Sequence, residues 1–114
     1  MLNPRLWDEL LEFRRVRDWE QFHTPRNLAV AISVEAAELL EPFRWLSEDQ
    51  VGEMVVKQRD VIADEIADIA ILLSYLANDL SIDIDAAVTS KIQANSAKYP
   101  VDKSRGSNKK YSEL

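Results

Sequence analysis

Two long apolar runs, residues 28–40 and 61–76, are each interrupted by two carboxylates at i, i+3 spacing, Glu35/Glu38 and Glu65/Asp68. That spacing sets both members of a pair on one side of a helix. Leu28, Ile32, Glu35 and Leu39 then fall on one stripe. Val61, Glu65, Leu72 and Leu76 share another, with Asp68 at its edge. A carboxylate on a core-facing stripe is costly unless a cation or hydrogen bonds compensate it. Carboxylates on two facing helices also repel one another. A shared hard cation is the simplest reason for a chain to keep them.

The rest of the chain shares the helical period. Only two of its 114 residues are glycine, Gly52 and Gly106, so it has no Gly-rich phosphate loop of either common kind. Asn3-Pro4 is a helix-start signal and predicts helix one over about 4–18. Residues 19–26 read as a connector, and Thr24-Pro25 starts helix two, about 25–41, which Pro42 ends. Residues 47–52 form the most loop-like interior stretch, with Ser47 able to cap the next helix. Helix three is expected over about 53–79 and helix four over about 84–97, capped by Asp83 or Asp85. From Lys98 the period is lost, and the basic run around Lys103–Lys110 reads as a tail ordered only by contact. The expected fold is all-α: a four-helix-type bundle, oligomeric, in one domain over 1–114 with a basic tail over 98–114. Short connections make neighbours antiparallel, so helices two and three lie side by side and present their acids to each other.

Composition excludes several classes. A net charge of −6 argues against general binding to duplex nucleic acid or to an anionic membrane. No apolar stretch approaches the ~20 residues needed to span a bilayer. The first residues carry no secretory apolar region. The absence of cysteine removes disulfides, thiolate metal sites and a thiol nucleophile, and fits a cytoplasmic location. A chain this short buries a modest core alone, so self-association is expected.

The four acids are all hard oxygen donors, a set suited to Mg²⁺, Mn²⁺ or Ca²⁺ rather than zinc or copper. A di-iron bundle would show Glu-x-x-His twice, and the single histidine, His23, lies outside both pairs. Mg²⁺ commonly completes its shell with water and substrate phosphates, which suggests phosphate chemistry with water as nucleophile. Taken singly, an i, i+3 acid pair is ordinary on a solvated helix face. Two pairs that both break an apolar stripe are not. Trp19 and Trp45 lie at helix ends and either stack a nucleobase or close the end of the core. Lys91, Asn95, Lys98 and Tyr99 follow one side of helix four, as a solvated face or as donors to phosphate oxygens. His23 reads as a hydrogen-bonded connector residue.

The segments Arg17-Asp18-Trp19-Glu20-Gln21-Phe22-His23, Pro25-Arg26-Asn27-Leu28 and Glu35-Ala36-Ala37-Glu38-Leu39 carry a family resemblance. So do Phe43-Arg44-Trp45, Asp64-Glu65-Ile66-Ala67-Asp68 and the run from Lys91 to Val101. The chain resembles the MazG-like all-α nucleoside triphosphate pyrophosphohydrolases over about 5–114, and within them the dCTP pyrophosphatase branch. The resemblance implies that Glu35, Glu38, Glu65 and Asp68 hold Mg²⁺ and carry catalysis, and that Trp19 and Trp45 line a base pocket. It implies phosphate contacts from Lys91, Asn95 and Tyr99, and a basic tail with Arg105 and Lys110 that closes over the triphosphate. It implies a homotetramer built as a dimer of dimers. The implied reaction cleaves between the α and β phosphates to give nucleoside monophosphate and pyrophosphate, clearing unwanted nucleotides from the pool. Leu10 and Leu72 stand where the vertebrate dCTP enzymes carry histidine and tyrosine near the base, so the preferred base is open. Two other functions stay open on the sequence: a non-enzymatic helical interaction module, and the same chemistry on another nucleotide such as dUTP.

Overall fold

A computed structural model describes all 114 residues. Every regular element is helical: α1 (Pro4–Val16), α2 (Pro25–Leu40), α3 (Glu48–Lys57), α4 (Arg59–Asp79), α5 (Ile84–Lys98) and the short α6 (Val101–Ser104). Single 3₁₀ turns occupy Glu20–Phe22 and Tyr111–Glu113. The chain divides into two compact units, Met1–Ser81 and Ile82–Leu114. No helix is long and apolar enough to cross a membrane.

The helix starts follow from side-chain chemistry. Asn3 Oδ1 accepts the Leu6 amide at 3.0 Å, and Thr24 Oγ1 accepts the Asn27 amide at 3.1 Å. A proline follows each cap, where its missing N–H costs nothing. Asp83 Oδ1 caps α5 through the Ala86 amide at 3.0 Å. At the other end of α1, Asp18 takes a left-handed φ of +54°. Its amide reaches back to the Arg15 carbonyl at 3.0 Å, and the Trp19 amide to the Arg14 carbonyl at 3.2 Å. These two bonds form a Schellman motif with aspartate where glycine is the usual residue. The motif ends α1 at Val16 and fixes where Trp19 leaves the helix.

Two sequence expectations require correction. Residues 47–52 are not a loop: α3 begins at Glu48, because Gln50 Oε1 accepts the Ser47 amide at 3.0 Å and Glu48 and Asp49 complement the helix dipole. The expected single helix over 53–79 is two helices, with a break at Gln58 (φ −103°, ψ 19°). The basic tail, expected to be ordered only by contact, makes such a contact. Gly106 turns the chain at φ +74°, and Tyr111 packs edge-on against Tyr99 at 6.0 Å, with Lys98 Nζ 4.9 Å from the Tyr111 ring. The contact of the two rings and the lysine ties this segment to the end of α5 within the second unit.

In the first unit, α2 packs along α4, and α3 also meets α4. Leu28 is the one large apolar side chain that is fully enclosed, at 1% exposure, and Tyr75 follows at 4%. Much of the remaining apolar surface is open, including Val30 and Val34 on α2 and Ile66 and Leu73 on α4. An open groove of ≈ 330 Å³ runs between α1 and α4, lined by Leu6, Leu10, Phe13, Ala67, Ala70 and Ile71 among others.

Candidate metal and nucleotide site

The pairing of α2 with α4 decides the geometry. Glu35 and Glu38 face across to Glu65, and one carboxylate oxygen from each lies within 4.8 Å of the other two. Glu35 and Glu65 are half-buried, whereas Glu38 is exposed. One oxygen of Glu35 and one of Glu65, both Oε2, are buried with no hydrogen-bond partner. Ion pairs elsewhere in the chain include Arg5–Glu9, Arg14–Asp79, Arg15–Glu12, Arg44–Glu41 and Lys57–Glu53. Glu35 accordingly holds its proton above the ordinary carboxyl range. The main cause is the proton it can share with Glu65, followed by burial and by the negative charge of Asp68.

Buried carboxylate oxygens without donors demand either a proton or a cation. The donor set is three hard oxygens on rigid helices with an exposed side at Glu38, which fits a Mg²⁺-class ion that keeps water and substrate oxygens. Asp68 stands one helical turn beyond Glu65, exposed and outside the group of three, and acts on it through its charge.

Trp19 is 43% exposed, held edge-on by Phe13 at 5.6 Å and flanked by His23 at 6.4 Å. Trp45 is 76% exposed beside α2's end, with the Arg44 guanidinium 4.4 Å from its ring centre. Neither indole is enclosed as core, so the end-closing alternative has little to support it. Lys91 and Asn95 are exposed on α5, Tyr99 is half-buried against Tyr111, and Arg105 and Lys110 are exposed. All five belong to the second unit, and the acids and both tryptophans to the first.

His23 departs from expectation in its side chain. It lies in the connector with its amide bonded to the Glu20 carbonyl at 3.1 Å, but its Nδ1 is buried without a partner, and the ring stands 5.3 Å from Tyr75. Burial, then the charge of Arg14, pushes its proton affinity down. The sequence reading also missed Arg14, only 4% exposed, which makes a two-pronged pair with Asp79 at 2.8 and 2.9 Å. The signal was present. Arg14 follows Trp7 and Leu10 on one stripe of α1, as Asp79 follows Leu72 and Tyr75 on α4. A charge on a core stripe is informative whatever its sign.

A profile of the MazG-like family matches residues 30–114. The mouse protein named dCTP pyrophosphatase 1 is 44% identical over 105 residues, covering 90% of this chain, and the human protein of that name is 40% identical over the same span. The chain spans 62% of the length of these mammalian relatives. A pyrophosphatase crystal structure from Archaeoglobus fulgidus superimposes with a TM-score of 0.82 at 44% identity, over 84% of this chain and 90% of that one. The profile spans Glu35, Glu38, Glu65 and Asp68, and this chain is a member of the MazG-like family.

Proposed function

We propose that the chain, as one functional domain, hydrolyses nucleoside triphosphates between the α and β phosphates, releasing nucleoside monophosphate and pyrophosphate. The observation that carries this is the convergence of Glu35, Glu38 and Glu65 from two helices within 4.8 Å, with two buried oxygens lacking any donor. Likeness to proteins named dCTP pyrophosphatase and to an archaeal pyrophosphatase supports the same chemistry.

In this proposal Glu35, Glu38 and Glu65 hold Mg²⁺, and Asp68 completes or steers the set. A divalent ion held there would supply charge neutralisation for the triphosphate and a water of lowered pKa. Glu38, the most open of the three, would be placed to orient the attacking water or take its proton. Trp19 and Trp45 offer exposed indole faces to the nucleobase. Lys91, Asn95, Tyr99, Arg105 and Lys110 donate to phosphate oxygens and offset the charge of the leaving pyrophosphate. Leu10, half-buried in the groove between α1 and α4, offers an apolar wall. An apolar wall rejects a polar isostere weakly, so dCTP is one member of a wider set of pyrimidine substrates.

The open apolar faces of α2 and α4 support self-association, and the proposed assembly is a homotetramer formed as a dimer of dimers. The role is clearance of unwanted nucleotides from the cytoplasmic pool. A panel of ribo- and deoxyribonucleoside triphosphates with MgCl₂ or chelator, followed by chromatography, tests the reaction. Monophosphate and pyrophosphate are the expected products, lost in Glu38→Gln and in Glu65→Gln. Orthophosphate as the primary product, or undiminished turnover in both variants, would overturn the proposal.

A further inference from the structure

The buried group around Arg14 takes no part in metal binding or hydrolysis, yet it leads step by step to Trp19. Asp79 holds the Arg14 guanidinium in a two-pronged grip, and Asn78 Nδ2 donates to Asp79 Oδ1 at 3.2 Å. The fork fixes the plane of the guanidinium. That group sits 4.5 Å from the centre of the Tyr75 ring. Tyr75 cannot swing away, because its hydroxyl donates to the Leu10 carbonyl at 2.7 Å and Trp7 packs on it at 5.8 Å. His23 lies against Tyr75 at 5.3 Å, and Trp19 against His23 at 6.4 Å. The same arginine also fixes the indole's origin, since its carbonyl accepts the Trp19 amide.

We propose that Arg14, clamped by Asp79, is a positioning residue for Trp19, setting the orientation of the indole through Tyr75 and His23 and so the shape of the base pocket. This rests on the reading that Trp19 meets the nucleobase. Stability alone is a poor reason to keep such a pair, because apolar residues of similar volume commonly replace a buried ion pair at no loss. The group also retains two unsatisfied buried nitrogens, Arg14 Nε and His23 Nδ1. Apolar packing would avoid that cost.

The test reads Trp19 directly. In the full chain carrying Trp7→Phe and Trp45→Phe, acrylamide quenching reports Trp19 alone. Arg14→Lys keeps the charge and loses the fork, and Arg14→Met with Asp79→Leu keeps the packing and loses the pair. Both are expected to raise the quenching constant about twofold with the helical signal unchanged. In the chain with its tryptophans restored, Arg14→Lys is expected to raise KM about tenfold with kcat within about twofold, the mark of lost binding rather than lost chemistry. Quenching unchanged in both variants would overturn the proposal. So would an unchanged KM in Arg14→Lys when Trp19→Ala raises it. If Trp19→Ala itself leaves KM unaltered, the base-pocket reading fails, while the quenching result still decides whether Arg14 positions the ring.

Discussion

Removing one member of the Arg14–Asp79 pair should be far worse than removing both. Arg14 has 5% of its side chain exposed and Asp79 25%. Asp79→Ala leaves a guanidinium that cannot shed its proton in a site closed to solvent. Stranding one partner of a buried pair costs about 3–5 kcal/mol, and the partial exposure of Asp79 places this case near about 3. For a domain of this size that is about 12 °C in melting temperature, a large share of a total stability of roughly 5–15 kcal/mol. The double variant Arg14→Met/Asp79→Leu replaces charge with similar volume and should fall within about 1 kcal/mol of the parent. Urea denaturation of the parent, single and double variants at one protein concentration measures both values. A double variant as unstable as Asp79→Ala would refute the reasoning and show that the pair contributes more than mutual compensation.

Acid should destabilise the first unit. The Arg14 hydrogen bonds lower the Asp79 pKa below 3.8, and burial lowers that of His23 below 6.5. A lowered folded-state value means stability that is present above the unfolded value and lost as pH falls through the folded one, for both groups. In Glu35→Gln, which removes the opposite contribution of a raised carboxyl, melting temperature should therefore decline from pH 6.5 downward, less steeply at the acid end when Asp79→Asn is added. Glu35→Gln should raise the melting temperature of the metal-free protein by relieving repulsion with Glu65, and abolish the rise caused by MgCl₂; a preserved MgCl₂ shift would count against Glu35 as a ligand. Val34→Asp, on an open apolar face of α2, should shift sedimentation toward smaller species, and an unchanged sedimentation coefficient would place the subunit contact elsewhere.

Much of this was legible in the sequence because periodicity and caps are local. Asn3-Pro4, Thr24-Pro25 and Asp83 set three helix starts, and the apolar runs set which face is inward. Of the stripe expected on α2, Leu28 is enclosed, and Ile32, Glu35 and Leu39 are half-buried. Glu65 meets Glu35 because α2 packs along α4, the pairing expected of helices two and three, although α3 lies between them in the chain. What was hidden depends on contacts between distant residues. The break at Gln58 has no proline or glycine to announce it. The Arg14–Asp79 pair joins residues 65 positions apart, and only the unusual place of each charge on its helix hinted at it. The order of the tail rests on Tyr111 finding Tyr99, a contact no local pattern encodes.

Mn²⁺ binding followed by the paramagnetic resonance of the free ion tests most directly whether α2 and α4 jointly hold a hard divalent cation. The parent chain should remove the free Mn²⁺ signal in a saturable manner, with Mg²⁺ restoring it by competition, and Glu65→Gln should bind at least tenfold more weakly. Equal Mn²⁺ uptake by the parent and Glu65→Gln, or none by either, would contradict a metal centre at this helix pair.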